Sequence, residues 1–187
     1  GQSFKAYGTT QGGTSAVCRI YIPPGKGDGH FFGRDKGECD GTMNAMLADW
    51  VMQVSFKPRL VAVSIENDAR TLRFIRETGA FTVNLLHEKD GIDIARKVVM
   101  PSEAKKVRGR SEEAAAQVIN KLEGIPYGLH GNGCPVLDRA LGWIACTAEA
   151  FHPAGDHTIV VGRCIDGERI RPGEMLIERD LGWEYGG

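Results

Sequence analysis

The sequence lacks the charge imbalance and the long apolar segments that mark several classes of protein. Lys and Arg number 23 and Asp and Glu 24, which leaves a formal net charge of −1. No overall field therefore attracts nucleic acid or an anionic membrane. Apolar runs such as residues 60–65 are far shorter than the ~20 residues that span a bilayer. The first residues contain no apolar core of a signal peptide, so we expect a cytoplasmic protein.

Paired cysteine motifs and nucleotide-binding glycine motifs are missing as well. The five cysteines contain no C-x-x-C pair, which argues against a disulfide framework or a zinc ribbon and suits a reducing compartment. No G-x-G-x-x-G or P-loop is present, because the glycine-rich residues 25–29 lack the required spacing. The cysteines are Cys18, Cys39, Cys134, Cys146 and Cys164.

What the chain does contain is typical of one globular domain. It has 187 residues, 42% of them hydrophobic, and its 25 glycines often separate short apolar runs. Neither a repeat nor a low-complexity linker interrupts it. Residues 1–187 are therefore interpreted as a single domain, with residues 1–40 as an atypical N-terminal strand or insertion.

Short strands separated by turn-forming residues dominate the pattern. Helical spacing of apolar residues, with a glycine or proline stop, predicts three short helices. The elements are interleaved without regular βαβ alternation, which favours a mainly antiparallel β-barrel with added helices over a doubly wound sheet. The predicted strands are residues 16–22, 59–65, 80–86, 142–151 and 157–165, and the predicted helices are residues 71–78, 90–100 and 111–122.

Residues 42–54 are ambiguous from their pattern alone. Their Ala, Met and Leu content and an apolar stripe from Met43 to Val54 favour a helix. Alternation that places Asn44, Met46 and Trp50 on one face would suit a strand instead.

Three segments in a fixed order resemble the flavin reductase family. The match runs from about residue 41 to the C-terminus, and the three segments are more specific together than any one alone. They are Thr42-Met43-Asn44-Ala45-Met46 with Trp50, Gln53-Val54-Ser55 and Pro58; Thr71 and Ile75 with Thr78-Gly79-Ala80-Phe81-Thr82-Val83-Asn84; and Gly133-Cys134-Pro135-Val136-Leu137 with Leu141-Gly142-Trp143 and Gly155-Asp156-His157-Thr158.

The resemblance implies an FMN-binding split barrel, a Greek-key-like antiparallel barrel, that acts as a homodimer with FMN at the subunit interface. It also overrides the helical interpretation of residues 42–54. Residues 42–46 are then expected to be a strand that turns near residues 48–50. Residues 18–41 are expected to be an insertion or an extended hairpin.

The phosphate of FMN is expected at the start of the helix that begins near Thr71. Free backbone N–H groups, the positive end of the helix dipole and a hydroxyl group form an anion site there, and Ser64 and Arg70 could contribute. The alternative is that Thr71 only caps the helix. Lys105 or Lys106 matches a basic residue that contacts the phosphate in the family, or belongs to a solvated charged run.

The flavin ring is expected beside Asn44 and Trp50. An asparagine side chain donates and accepts hydrogen bonds at once, and tryptophan supplies a flat surface; the alternative for Trp50 is a core aromatic residue. The remaining residues that the resemblance assigns to the flavin are Thr42, Ala45, Met46, Val54, Ser55 and the C-terminal Tyr185, which could equally be a frayed end.

His157 is the expected catalytic residue. The resemblance places it where the electron donor would lie over the flavin, and a neutral imidazole can relay a proton near neutral pH. The alternative is a structural histidine that bonds its own hairpin, with Asp156 fixing the turn.

The implied function is an NAD(P)H-dependent flavin reductase that transfers a hydride from NADH or NADPH to FMN. Reduced flavin would pass to a partner oxygenase or another redox protein. The alternative functions are a flavoredoxin-like electron carrier, which holds FMN tightly and takes electrons from a protein or metal donor, and a barrel with a degenerate site.

Overall fold

The computed structural model describes residues 18–22, 43–48, 50–99, 121–177 and 181 of the chain. Strands dominate this part, with nine strands and two helices among the described residues. None of these helices is long and apolar enough to cross a lipid bilayer. The strands are β1 Cys18–Ile22, β2 Asn44–Ala48, β3 Val51–Phe56, β4 Arg59–Glu66, β5 Ala80–Leu85, β6 Tyr127–Leu129, β7 Pro135–Leu137, β8 Gly142–Ala154 and β9 His157–Arg169, and the helices are α1 Arg70–Thr78 and α2 Gly91–Val99.

Seven strands form one sheet in the order β2-β1-β5-β8-β9-β4-β3, and β6 and β7 form a small second sheet. All these pairings are antiparallel. The two edge strands, β2 and β3, are consecutive in the chain, and β2 also packs against β4. The sheet therefore curls until its edges meet at one corner, which confirms the predicted antiparallel barrel.

Asn44–Ala48 and Val51–Phe56 are strands, so the helix favoured by composition is wrong and the strand implied by the family resemblance is confirmed over its described residues. β2 pairs with β1 and β3 pairs with β4. Helix propensities differ by less than ~1 kcal/mol per residue for most side chains, so tertiary pairing readily overrides them. β1 and β2 form an antiparallel pair, which is the geometry of an extended hairpin.

Apolar side chains fill the interior of the barrel. Val63 and Ile65 of β4 are fully buried with Phe81 of β5. Gly162 of β9 lies beneath the Phe81 ring, because a Cβ atom at position 162 would lie 2.3 Å from Phe81 Cζ. The barrel thus depends on a glycine at this point to accommodate a large ring.

The predicted helix at residues 71–78 is confirmed as α1. Its buried Leu72, Phe74 and Ile75 join the barrel core. Gly79 ends the helix with φ of 67°, and its N–H donates to the Ile75 carbonyl at 2.8 Å. This left-handed conformation explains the glycine at the C-terminal stop.

A second core lies between α2 and the segments around residues 122–141. Ile94, Ala95 and Val98 of α2 pack there with Ala45 of β2 and Leu137 of β7. The predicted helix at residues 90–100 is confirmed over Gly91–Val99. Most of the predicted helix at residues 111–122 lies outside the described residues, and its last two residues form a turn.

Buried polar side chains fix β7 to β5. Asn84 Oδ1 accepts a hydrogen bond from the Leu137 N–H at 2.9 Å, and Thr82 Oγ1 donates to the Pro135 carbonyl at 2.8 Å. Both side chains are fully buried. Their polarity is satisfied by backbone groups more than 50 residues away in the chain.

β8 and β9 are longer than predicted and form a tight hairpin. The predicted connection of residues 152–156 shrinks to Gly155 and Asp156, because Ala154 pairs directly with His157. Gly155 has φ of 67°, a conformation that favours glycine in short turns. The turn carries His157 at one end of the barrel.

Candidate functional site

The N-terminus of α1 is electropositive. Its N-cap residue is Ala69, which has no side chain able to cap the first turn, and that turn contains no acidic residue. Arg70 is its first residue. The first backbone N–H groups and the positive end of the helix dipole therefore have a cation beside them. Thr71 is the second residue of the helix, so the interpretation of Thr71 as the N-cap is wrong.

Asn44 and Thr71 meet although they come from separate elements. Asn44 Nδ2 donates to Thr71 Oγ1 at 2.8 Å, and both residues are buried. This hydrogen bond ties β2 to the first turn of α1. Two of the residues expected to bind the cofactor thus form one unit.

Trp50 and His157 form a second unit. Their ring centroids are 5.2 Å apart with a tilt of 42°. Trp50 is 48% exposed, so the interpretation of Trp50 as a core aromatic residue is wrong. The Ser64 N–H donates to the Trp50 carbonyl at 3.1 Å, which places Ser64 of β4 in the same row.

Asp156 orients the His157 ring. His157 Nδ1 lies 2.7 Å from Asp156 Oδ1. The hydrogen bond with His157 and its nearby charge lower the pKa of Asp156 below its ordinary value. An ionised carboxylate only accepts hydrogen bonds, so Nδ1 carries the proton of this hydrogen bond and Nε2 is the ring nitrogen that does not contact Asp156. The Nδ1 atom of His157 therefore makes the hairpin contact that the structural interpretation expects. The Nε2 atom is the one that a catalytic role would use.

Asn67 joins the two units and was missed as a site residue. Its Nδ2 donates to the Gly155 carbonyl at 2.9 Å, and its Oδ1 accepts from Thr158 Oγ1 at 2.7 Å. The Asn67 N–H also donates to the Asp156 carbonyl at 2.9 Å. Asn67 thus fixes the turn that carries His157 to the segment leading into α1. The only signal in the sequence was the turn chemistry of Asn67-Asp68.

Exposed apolar residues line the outer side of β3. We call Trp50, Met52, Val54 and Phe56 the β3 stripe; they are 48%, 58%, 47% and 82% exposed. β3 is an edge strand of the large sheet. The predictions assigned Trp50 and Val54 to the flavin, and they missed Met52 and Phe56.

The other predicted lining residues differ in their availability. Ala45 is fully buried in the second core, so only its backbone could approach a ligand. Met46 is half-buried and packs against the barrel core. Ser55 is half-buried beside Val54 at a bulge in β3, where Gln53 Nε2 donates to the Ser55 carbonyl at 3.1 Å.

The structure does not describe the other four predicted site residues. Thr42, Lys105, Lys106 and Tyr185 lie outside the described residues.

The described residues fit the demands of a flavin mononucleotide. The first turn of α1 suits an anionic phosphate because it lies at the positive end of the helix dipole and contains Arg70 but no acidic residue. The exposed Trp50 face and the oriented His157 ring suit a flat heteroaromatic ring. Asn67 holds the two parts together at one end of the barrel.

Comparison with known proteins agrees with the split β-barrel fold. Residues 35–180 match the model of the flavin reductase like domain. The chain therefore belongs to the flavin reductase like family, which confirms the resemblance.

Individual relatives are similar to this chain over most of its length. It is 33% identical over 129 residues to an NADH-dependent flavin reductase of Rhodococcus sp., covering 67% of this chain and 61% of that protein. It is 30% identical over 138 residues to the reductase component of 4-hydroxyphenylacetate 3-monooxygenase from Thermus thermophilus, covering 74% and 76%. This chain thus spans about three fifths of the length of the Rhodococcus protein.

A solved structure shows the same fold. The NADH:FAD oxidoreductase of Streptomyces globisporus, in complex with NAD and FAD fragments, superposes with a TM-score of 0.67 at 18% identity. The superposition covers 93% of this chain and 86% of that chain.

Proposed function

We propose that this protein is an NAD(P)H-dependent flavin reductase whose bound flavin is FMN. The observation that carries the proposal is the pairing of an electropositive helix start with the Trp50–His157 ring pair, in which Trp50 is exposed; Asn67 joins the two. FMN, when bound, supplies the hydride-accepting N5 atom. All other tasks fall to the residues of this chain.

The first task is to hold the phosphate. The first N–H groups of α1 and the Arg70 side chain supply positive charge, and the Asn44–Thr71 hydrogen bond fixes the helix start. Ser64 is bonded through its N–H to the Trp50 carbonyl, and we propose that it contributes to the phosphate side of the site. Lys105 or Lys106 is proposed as a further phosphate contact, as the family resemblance implies.

The phosphate also supports FMN over FAD. FMN carries a single terminal monophosphate, which matches one helix N-terminus, whereas FAD would need a further site for its adenosine. Binding of FMN, FAD and riboflavin measured by calorimetry tests this choice. We expect FMN to bind about tenfold or more tightly than riboflavin, and equal affinity would contradict a phosphate site.

The second task is to orient the nicotinamide and to manage a proton. Trp50 offers a flat face, and Asp156 holds His157 with Nε2 as its free nitrogen. That nitrogen can accept a hydrogen bond or, once protonated, donate one to the reduced flavin. His157 is therefore proposed as the catalytic residue.

The third task is to exclude water, which we assign to a second copy of this chain. The β3 stripe is an exposed apolar face that includes Trp50. Monomeric proteins rarely expose such a contiguous face without a partner. Among the described strands β3 is also an edge of the large sheet, a position at which a second chain can pair. A homodimer would cover the stripe and enclose the flavin at the subunit interface.

The partner of the reduced flavin is proposed to be an oxygenase. The Thermus relative is named as the reductase component of a monooxygenase, which supports this assignment. Three free thiols among the described residues, those of Cys134, Cys146 and Cys164, support a reducing compartment such as the cytoplasm.

Anaerobic mixing of the FMN-loaded protein with NADH, and separately with NADPH, tests the proposal. We expect the visible absorbance of the oxidised flavin to be lost with at least one nucleotide, faster than with free FMN. If neither nucleotide bleaches the bound flavin, the reductase function is wrong. If the protein takes up no FMN at all, the binding site itself is wrong.

A further inference from the structure

Strands β8 and β9 bring two cysteines together in the middle of their hairpin, away from His157. Cys146 and Cys164 are directly opposite each other in the antiparallel register. Cys164 lies seven residues after His157 along β9, which is ~23 Å at about 3.3 Å per residue. The spacing of cysteines in the sequence gave no sign of this pair, because it depends on the register of the hairpin.

The backbone positions are compatible with a disulfide bond. Opposite residues in an antiparallel pair have Cα atoms about 4.5–5.5 Å apart. Disulfides span Cα separations of about 4.4–6.8 Å. The two thiols already contact each other through a hydrogen bond. Little backbone movement is therefore needed to bring the sulfur atoms into bonding distance.

The two thiols differ in their surroundings. Cys146 is fully buried in the barrel core, whereas Cys164 is only half-buried. The hydrogen bond from Cys146 and the Arg59 charge lower the pKa of Cys164, although partial burial opposes them. The same hydrogen bond and burial raise the pKa of Cys146. This hydrogen bond thus favours ionisation of Cys164 over ionisation of Cys146, which is the asymmetry of an attacking and a resolving cysteine.

We propose that Cys146 and Cys164 form a redox-active dithiol that hydrogen peroxide converts into a cross-strand disulfide. The Cys164 thiolate attacks one peroxide oxygen, the O–O bond breaks, and hydroxide leaves and is protonated to water. The Cys146 thiol then attacks the sulfenic sulfur of Cys164, and the S–S bond forms as a second water leaves. The two thiols lose two electrons in total, and the peroxide gains them.

The source of the peroxide rests on the proposed function. Reduced flavin that meets molecular oxygen instead of its partner passes two electrons and two protons to it, which yields hydrogen peroxide and oxidised flavin. The dithiol would then be oxidised whenever reduced flavin reacts with oxygen instead of passing its electrons to the partner protein. Its chemistry with added peroxide does not depend on flavin binding.

Peptide mapping of the full chain tests the dithiol. The reduced protein is treated with hydrogen peroxide without flavin or nucleotide, unfolded in an alkylating agent, digested and analysed by mass spectrometry. We expect a peptide that links Cys146 to Cys164 and disappears after treatment with dithiothreitol. Cys134 serves as the internal control, because burial raises the pKa of its thiol to about 12 and it should stay alkylatable.

Variants separate the two roles. In Cys146→Ala we expect Cys164 to stop at the sulfenic acid, which dimedone traps, and in Cys164→Ser we expect Cys146 to stay reduced. If Cys146→Ala does not fold, the peptide map of the peroxide-treated parent protein tests the disulfide by itself. A link between other cysteines, or Cys164 oxidised to sulfinic acid while Cys146 stays free, would overturn the proposal.

A second arm tests the source of the oxidant. The protein turns over NADH and FMN in air, with and without catalase. A Cys146–Cys164 link that catalase suppresses supports the flavin as the source. If added peroxide forms the link and turnover does not, the dithiol stands and the flavin-derived oxidant is wrong.

Discussion

Single side chains at the start of α1 carry the proposed phosphate site. Asn44 and Thr71 share a buried hydrogen bond of 2.8 Å, and no side chain of Ala69 competes for the helix N–H groups. The site is built from backbone amides held in place by this hydrogen bond. Changes at these residues therefore act on both affinity and stability.

Thr71→Ala should weaken FMN binding about tenfold, or about 1.4 kcal/mol, as measured by calorimetry. It should also lower the free energy of unfolding by about 1–3 kcal/mol, because the buried Asn44 amide loses its partner. Thr71→Ser keeps the hydroxyl and is the matched control. Equal FMN affinity in the alanine and serine variants would place the phosphate elsewhere.

His157→Ala should slow flavin reduction more than it weakens FMN binding. Loss of one oriented hydrogen bond near the reacting atoms is expected to reduce the rate by roughly tenfold or more. Stopped-flow absorbance measures the rate, and calorimetry measures the affinity. Asp156→Ala, which frees the ring without removing it, should show a smaller effect in the same direction. An unchanged rate in His157→Ala would make this residue purely structural.

At the scale of elements, the connection between β4 and α1 organises the site. Asn67 lies in this connection and binds the β8–β9 turn, whose Gly155 is 88 residues further along the chain. The helix start and the hairpin turn therefore depend on the same amide side chain.

Asn67→Ala should lower the free energy of unfolding by about 1–2 kcal/mol, because two side-chain hydrogen bonds are lost. It should also reduce the rate of flavin reduction, because the His157 turn is no longer fixed. Asn67→Asp keeps the acceptor for Thr158 and loses the donor to Gly155, so about half of the destabilisation is expected. Urea unfolding measures the stability, and no difference between these variants and the parent would show that the turn holds its position alone.

A second contact between elements joins Asp90, the residue before α2, to the segment after β9. Arg171 Nη1 lies 2.6 Å from Asp90 Oδ2, and this hydrogen bond lowers the pKa of Asp90. A carboxyl group whose pKa is lowered by folding stabilises the protein above its unfolded pKa of ~3.9. The contribution is lost as the pH falls from there through the lowered folded value.

Asp90→Asn should therefore reduce stability at neutral pH and leave it unchanged at a pH below the folded pKa of Asp90. Urea unfolding curves at several pH values measure the difference between the variant and the parent. Glu88→Gln, two residues away, is the charge control and should show no such pH dependence. A difference that persists unchanged into strong acid would show that Asp90 acts through something other than its charge.

Elements with a clear local period could be predicted from the sequence, and the others could not. β4, α1 and β5 were identified by their apolar spacing and by Gly79. β2 was identified only through the family resemblance, because its composition favours a helix and its strand pairing is long-range. The same limit applies to the site. Thr71 and His157 lie in motifs, whereas the role of Asn67 depends on a turn that folding brings to it.

At the scale of the whole molecule, the β3 stripe is an apolar surface that stays exposed to water in a monomer. Its four apolar residues lie along an edge strand and lead to the Trp50–His157 pair. Their exposure could not be predicted, since it depends on which strand ends the sheet. A second copy of the chain is the proposed cover.

The double variant Met52→Glu with Phe56→Glu should convert a dimer into a monomer and weaken FMN binding, because two carboxylates would be buried in an apolar interface. Light scattering after size exclusion measures the mass. Leu129→Glu is the control, because Leu129 is 63% exposed on β6, outside the stripe. A parent protein that is monomeric at all concentrations, or a double variant that stays dimeric, would contradict the proposal.

The contact between Phe81 and Gly162 has a consequence for how a cofactor comes and goes. The ring occupies the middle of the barrel against bare backbone, so the interior offers no room for a guest. Any ligand must bind on the outside, where it can be exchanged without loosening the packed centre. A flavin could then enter and leave the surface of the barrel while the packed centre keeps its structure.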